Sequence, residues 1–290
     1  MPGRAAARPA HPLAKLGVHL DGKAERARIP SHPLAMQNGN MSGRDKMRIF
    51  PFWLTVTVLG VALLALRSAV PVWATITGSP FSYGGVTWCQ SYHAYNGCNN
   101  VQSPSQYTVS FDPAQDSLNG SAVWLAMNSA ATRSGAVNTW GNQTWTLPFT
   151  LTEQISLPCN SSNLIENWPA FWTVGSSGTW PANGETDIVE AIKGEATWDY
   201  HYVNPAGVAD DRAGAPAGNW CGTHIYPVIE TTSAVTFIWD GEQVGQVTPA
   251  EIGVPISAVP QYAVGDYGAG SSGGPTTAGA VMKVLSFVAS

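Results

Sequence analysis

The chain has 290 residues, and its 14 Lys and Arg against 19 Asp and Glu give a formal charge of −5 that averages two very different parts. Residues 1–48 hold nine of the basic residues, whereas from Thr75 onward only Arg133, Lys193, Arg212 and Lys283 face sixteen carboxylates, a formal −12. A surface so acidic repels phosphate backbones, which excludes nucleic acid as its partner; it suits a protein acting on a neutral ligand.

In chain order, residues 1–48 carry many Ala and Pro and no periodic apolar pattern. They read as a disordered basic leader, or as a mis-assigned start with Met41 or Met47 the true one. The run "IFPFWLTVTVLGVALLAL", Ile49 to Leu66, contains no charge, follows Arg44, Lys46 and Arg48, and precedes Val72-x-Ala74. Residues 49–74 thus have the layout of a secretory signal peptide. The run is also long enough to anchor the chain in a bilayer, and Arg67 directly after it suits that alternative. The expectation is a secreted, extracellular domain over 75–290, with cell-surface anchoring by residues 49–66 as the alternative. Membrane contact is expected only through this segment.

All four cysteines, Cys89, Cys98, Cys159 and Cys221, lie beyond the leader. An even count in an exported domain implies two disulfides, with three pairings open and Cys89 with Cys98 the local guess. No Cys-x-x-Cys or matching His spacing marks a metal site.

The remaining residues, about 215, suffice for one core. They show short β-rich runs rather than helical spacing: "YTVSF" from Tyr107, "SAVWLAM" from Ser121, "TWTLPFTLTEQISL" from Thr144, "PAFWTV" from Pro169 and "TDIVEAI" from Thr186. Then come "TWDYHYV" from Thr197, "AVTFIWDGEQVGQV" from Ala234, "QYAVGDY" from Gln261 and "AVMKVLSFVA" from Ala280. Asp240-Gly241 is a hairpin signal, and Gly268 to Gly279 is a Gly/Ser/Thr loop. Many short strands with turn punctuation predict an all-β, two-sheet sandwich.

Twelve tryptophans exceed what such a core needs, and Trp168, Trp172, Trp180, Trp198 and Trp220 crowd around one acidic strand. Indole faces beside carboxylates suggest a sugar cleft, although any one of them could simply be a core aromatic. The strand is "GETDIVEA", Gly184 to Ala191, with Glu185, Asp187 and Glu190 in six positions. Alternation puts Glu185 and Asp187 on one face, and Glu190, five positions from Glu185, on the other. One extra residue at Ile188 or Val189, a β-bulge, returns all three to one face. Two carboxyl groups across one bond are what glycosidase chemistry requires, and crowding raises the pKa of one of them.

The stretch "NWPAFWTVGSSGTWPANGETDIVEAIKG", Asn167 to Gly194, resembles glycoside hydrolase family 16, the laminarinase-like enzymes. The family's W-P-A-F-W, W-P and G-E-x-D-I-x-E elements stand here in order, and the resemblance extends over about Tyr107 to Ala289 with "SGAVNTWG" and "TFIWDG". It implies a jelly-roll, concanavalin A-like sandwich in which Glu185 is the nucleophile, Asp187 the assisting carboxylate and Glu190 the general acid/base. It further implies sugar contacts by Trp168, Trp172, Trp180 and His201. A monomer acting on a β-glucan polysaccharide is expected, with no required cofactor and no catalytic metal. A structural calcium ion occurs in some relatives, but no acidic loop here identifies its ligands.

Three positions depart from the family pattern. Thr186 replaces the usual Ile, "LTEQISLP" loses a Glu–Arg pair, and Glu230 stands where many members have Trp. The expected activity is endo-hydrolysis of β-1,3 or mixed β-1,3/1,4 glucan. Transglycosylation in the same site and a non-catalytic carbohydrate-binding sandwich are the alternatives. A binder needs no paired Glu, and both glutamates are present.

Overall fold

Strand Phe149–Leu157 shows how this sequence builds a sheet: Phe149, Leu151, Glu153, Ile155 and Leu157 are buried, and the residues between them are half-exposed. Side chains on a strand alternate with a period of two, so one face lies against a second layer while the other meets water. The computed structural model describes residues 74–75, 80–90 and 110–290, all within one compact unit, Pro71–Ser290. The basic leader, the apolar run Ile49 to Leu66 and Cys98 lie outside the described residues. Ala74, the last residue of the expected leader, pairs with Leu118.

The first strands in chain order are β1 (Ala74–Thr75), β2 (Phe81–Tyr83), β3 (Val86–Gln90), β4 (Ser110–Phe111), β5 (Asp116–Asn119) and β6 (Ala122–Ala126). Next come β7 (Arg133–Ser134), β8 (Ala136–Asn138), β9 (Phe149–Leu157), β10 (Trp168–Gly175), β11 (Glu185–Ile192) and β12 (Glu195–Val203). The last are β13 (Ala209–Gly214), β14 (Gly222–Glu230), β15 (Val235–Trp239), β16 (Glu242–Val247), β17 (Gln261–Gly268) and β18 (Val281–Ala289). One eight-stranded sheet runs β1-β5-β6-β18-β9-β14-β15-β16, and the other runs β13-β12-β11-β10-β17-β8-β3-β2. The protein is an all-β, two-sheet jelly-roll sandwich. The first sheet is called outer below and the second the cleft sheet.

Between the sheets, Phe171, Ile188, Val189, Trp198 and Tyr200 of the cleft sheet share one core with Leu151, Ile155, Val228, Phe237 and Trp239 of the outer sheet. Trp198 stacks on Phe237 at 4.7 Å, and Trp220 packs edge-on against Trp239 at 4.8 Å. These two indoles are therefore core aromatics, correcting their assignment to a sugar cleft. Alternation along β12 sends Trp198 and Tyr200 inward and Asp199 and His201 outward.

The Asp240-Gly241 hairpin joins β15 to β16, with φ of 49° and 88° at its two corner residues. Several sheet strands escaped the sequence reading: β2, β3, β5 and β8 among the earlier ones, and β13 and β14 among the later ones. Strand β13, "ADDRAG", is an exposed edge with no apolar alternation, and β14 contains Pro227.

Cys159 and Cys221 form a disulfide with 5.6 Å between Cα atoms. They sit just beyond Leu157 and just before Gly222, which face each other across β9 and β14. Cys89 is also disulfide-bonded. The Cys159–Cys221 bridge spans 62 residues, so chain-entropy arguments give it about 4 kcal/mol of stabilisation. The double variant Cys159→Ala/Cys221→Ala is therefore expected to unfold at a lower urea midpoint with an extrapolated loss of that order. A midpoint within error of the parent would show that the bridge contributes nothing.

Candidate active site

The carboxylate strand β11 begins at Gly184, whose φ of +77° turns the chain into the sheet and where a Cβ would meet the Ser257 side chain at 2.7 Å. Along β11, Glu185 pairs with His201 and Asp187 with Asp199, but the next partner pair is Glu190 with Thr197. Three steps on β11 thus match two on β12. On the other side Trp172 faces Asp187 and Phe171 faces Val189, so Ile188 is the residue without a counterpart. This is the bulge expected from the spacing. Ile188 and Val189 both go into the core, at 0% and 1% exposure. Glu185, Asp187 and Glu190 are left on the cleft face.

Around them the cleft sheet brings further polar groups. His201 Nε2 lies 3.1 Å from Asp187 Oδ2, 3.6 Å from Asp199 Oδ2 and 3.8 Å from Glu185 Oε1. Trp168 donates its indole N–H to Glu190 Oε1 at 2.6 Å. The Trp180 ring lies 5.6 Å from that of His201, and its N–H favours the ionised form of Glu185. Trp172 donates to Asp266 Oδ2 at 3.1 Å. Trp172 is only 4% exposed, so it supports the cleft floor rather than presenting the open ring that sugar stacking requires.

The residues expected at the site from the sequence therefore converge: Glu185, Asp187, Glu190, Trp168, Trp172, Trp180 and His201 share one face. Asp199 and Asp266 were missed. Asp199 lies two residues before His201 on one strand, and alternation alone would have placed it on the same face. Asp266 comes from β17, across β10, and no local signal ties it to the acidic strand. Glu185, Asp187 and His201 offer ligand atoms within 4.8 Å of one another, an arrangement that the Cys and His spacing did not suggest.

No family model and no curated protein matches the chain. Solved structures do, and many of them are family 16 endo-glucanases and laminarinases. The GH16 protein of the Bacteroides ovatus mixed linkage glucan PUL, in complex with a G4G4G3G product, is 20% identical with a TM-score of 0.55, over 73% of this chain and 96% of its own. The endo-β-1,3-glucanase of Pyrococcus furiosus is 17% identical with a TM-score of 0.53, over 73% and 97%. LamAcat of Zobellia galactanivorans is 16% identical with a TM-score of 0.54, over 70% and 89%. At such identities the likeness establishes a shared fold.

The electrostatics follow from burial. Loss of water, then the Asp187 charge, pushes Glu185 up to about 8, opposed by His201 and the Trp180 indole. Glu190 is raised well above the usual range by the same two causes, opposed by the Trp168 bond. Burial lifts Asp199 and Asp266 to about 7. For His201, burial pulls downward, but the Asp187 bond and the charges of Asp187, Asp199 and Glu185 outweigh it and hold the imidazole well above 6.5. The cleft thus retains protons near neutral pH as a coupled set.

Beneath it, in the core, Glu230 is raised to about 7 by burial and opposed by bonds from Thr186 and Thr173. In each of these carboxyls the folded state binds a proton that the unfolded chain, at 3.8 or 4.5, has released. Their contribution to stability is full below the unfolded values and is lost as pH rises through the folded ones. The melting temperature is expected to fall between about pH 5 and pH 8.5, and Glu230→Gln is expected to flatten that slope. A melting temperature that climbs over this range would contradict the protonated assignments.

Proposed function

We propose that residues 75–290 form a retaining endo-glycosidase that hydrolyses internal β-1,3 or β-1,3/1,4 bonds of glucans, acting as an exported monomer. The observation that carries this reading is the one-residue bulge in β11. It puts two glutamates on the cleft face, one on each side of Asp187. Retaining glycosidases need two carboxyl groups across one glycosidic bond, one to attack and one to carry the proton. The family 16 enzymes with the same fold include proteins described as a mixed-linkage glucan enzyme and endo-β-1,3-glucanases, which supports glucan as the substrate class. The acidic charge of the domain suits a neutral polymer.

In the first step the Glu185 carboxylate attacks the anomeric carbon, and the bond to the leaving oxygen breaks as Glu190 gives that oxygen its proton. Burial and the Asp187 charge raise Glu185 to about 8, and His201 and the Trp180 indole oppose them in favour of the ionised form that this attack requires. Burial favours the protonated Glu190. In the second step Glu190 takes a proton from water, the water oxygen attacks the same carbon, and Glu185 leaves as a carboxylate. Asp187, held by His201 at 3.1 Å, stands between the two and sets their orientation and charge. The chemistry uses only these side chains and water.

The test measures reducing ends released by the full chain and its Glu185→Gln variant from laminarin, mixed-linkage glucan, agarose and carrageenan. The parent is expected to cut a β-glucan and release the β-anomer first, as seen by proton NMR. The variant is expected to lose about a thousandfold in kcat or more. Binding of a polymer by both proteins with no release by either would sink the hydrolase reading and promote a binding role. Oligosaccharides longer than the substrate, without net release, would establish transglycosylation instead.

A further inference from the structure

The bulge poses a problem of its own. An inserted residue interrupts the ladder, and its backbone groups need partners elsewhere when water is excluded. Ile188 is that residue: it has no counterpart on β10 or on β12, and its side chain is 0% exposed. Its carbonyl nevertheless accepts a hydrogen bond of 3.1 Å, fully buried, from the indole Nε1 of Trp239. Trp239 belongs to β15, on the opposite sheet, so this contact crosses the core.

We propose that Trp239 is a positioning residue for the reaction, holding the bulge that gathers Glu185, Asp187 and Glu190 onto one face. The indole is fixed before it meets the strand. Trp239 is 0% exposed, and Trp220 and Tyr226 pack edge-on against it at 4.8 and 5.2 Å. A second contact from the outer sheet flanks the first: Glu230, on β14, accepts from Thr173 Oγ1 at 3.3 Å and is bonded by Thr186, next to Glu185. The bulged segment is therefore held from below on both sides of Asp187. Without the indole donor the Ile188 carbonyl loses a buried hydrogen-bond partner, and β11 gains by shifting its register. A shift of one residue turns a side chain to the other face, so Glu190 would leave the cleft.

This inference rests on the reading that Glu185 and Glu190 perform the chemistry, and the test separates the two. In the full chain, Trp239→Phe removes the donor but keeps an aromatic ring. Phe237→Leu is the packing control, a buried neighbour on the same strand that stacks on Trp198. Two quantities are measured: kcat and KM on the polymer that the parent cuts, and the carbon-13 NMR titration of the Glu185 and Glu190 carboxyls.

Trp239→Phe is expected to lower kcat about tenfold or more with KM within about twofold, and to move one carboxyl midpoint by about half a unit or more. Phe237→Leu is expected to lower the melting temperature and leave kcat and both midpoints in place. Parent-like kcat and midpoints in Trp239→Phe, or equal changes in both variants, would overturn the proposal. If the parent cuts no polymer, the functional reading fails, and the titrations alone decide the positioning role. If Trp239→Phe does not fold, deuterium exchange at the Trp239 indole N–H of the parent decides: exchange at the pace of global unfolding supports the bond, and exchange at the rate of an exposed indole overturns it.

Discussion

Carboxylates placed side by side repel one another, and burying them removes the water that would screen the repulsion. A strand accepts three on one face only when something else fixes its register. Here the register is fixed by a single extra residue between Asp187 and Glu190. Everything near the cleft answers to that insertion. Ile188 and Val189 take adjacent places in the core instead of alternating, the three acids face outward together, and His201 on the neighbouring strand comes within reach of two of them. A regular strand of the same composition would put Glu190 in the core beside Phe171.

The two layers are less uniform than a hydrophobic sandwich needs to be. Glu153 and Glu230 point inward from the outer sheet, and Thr173 and Thr186 point inward from the cleft sheet. Glu230 meets both threonines. Thr186 and Glu230 each looked like an isolated departure in the sequence, and they prove to be two ends of one contact. A β-branched apolar residue and an indole would fill such a place by volume, whereas a hydroxyl and a carboxyl fill it by hydrogen bonding. Thr186 therefore faces the core, as alternation demanded, but its partner gives it an influence on the backbone of the acidic strand that packing alone would not.

The acidic strand, its bulge and the hairpin at Asp240 were legible because each is written in consecutive residues: the spacing of three carboxyls, or a dipeptide that tolerates positive φ. Trp198 and Trp220 were misplaced because closeness in sequence to the acidic strand says nothing about the face, and alternation along β12 would have sent Trp198 inward. Asp266 could not be found from local pattern, since its position depends on β17 pairing with β10 across about 90 residues of chain. The same holds for Cys159 and Cys221. Their neighbourhood is set by the register of β9 on β14, and β14 was concealed by a proline in its middle.

That disulfide closes the excursion from the end of β9 to the start of β14, and within it lie β10, β11, β12 and β13. Glu185, Asp187, Glu190, Asp199, His201, Trp168, Trp172 and Trp180 are all inside. The framework strands that clamp its ends lie outside. The covalent ring thus makes residues 160–220 a cassette: the segment that bears the clustered acids enters and leaves the sandwich at two adjacent points tied to each other. Its exchange as a block would change what the cleft does without re-threading the rest of the chain. The residues that receive it would have to match, Trp239 and Glu230 from the outer sheet and Asp266 on the neighbouring strand β17 among them.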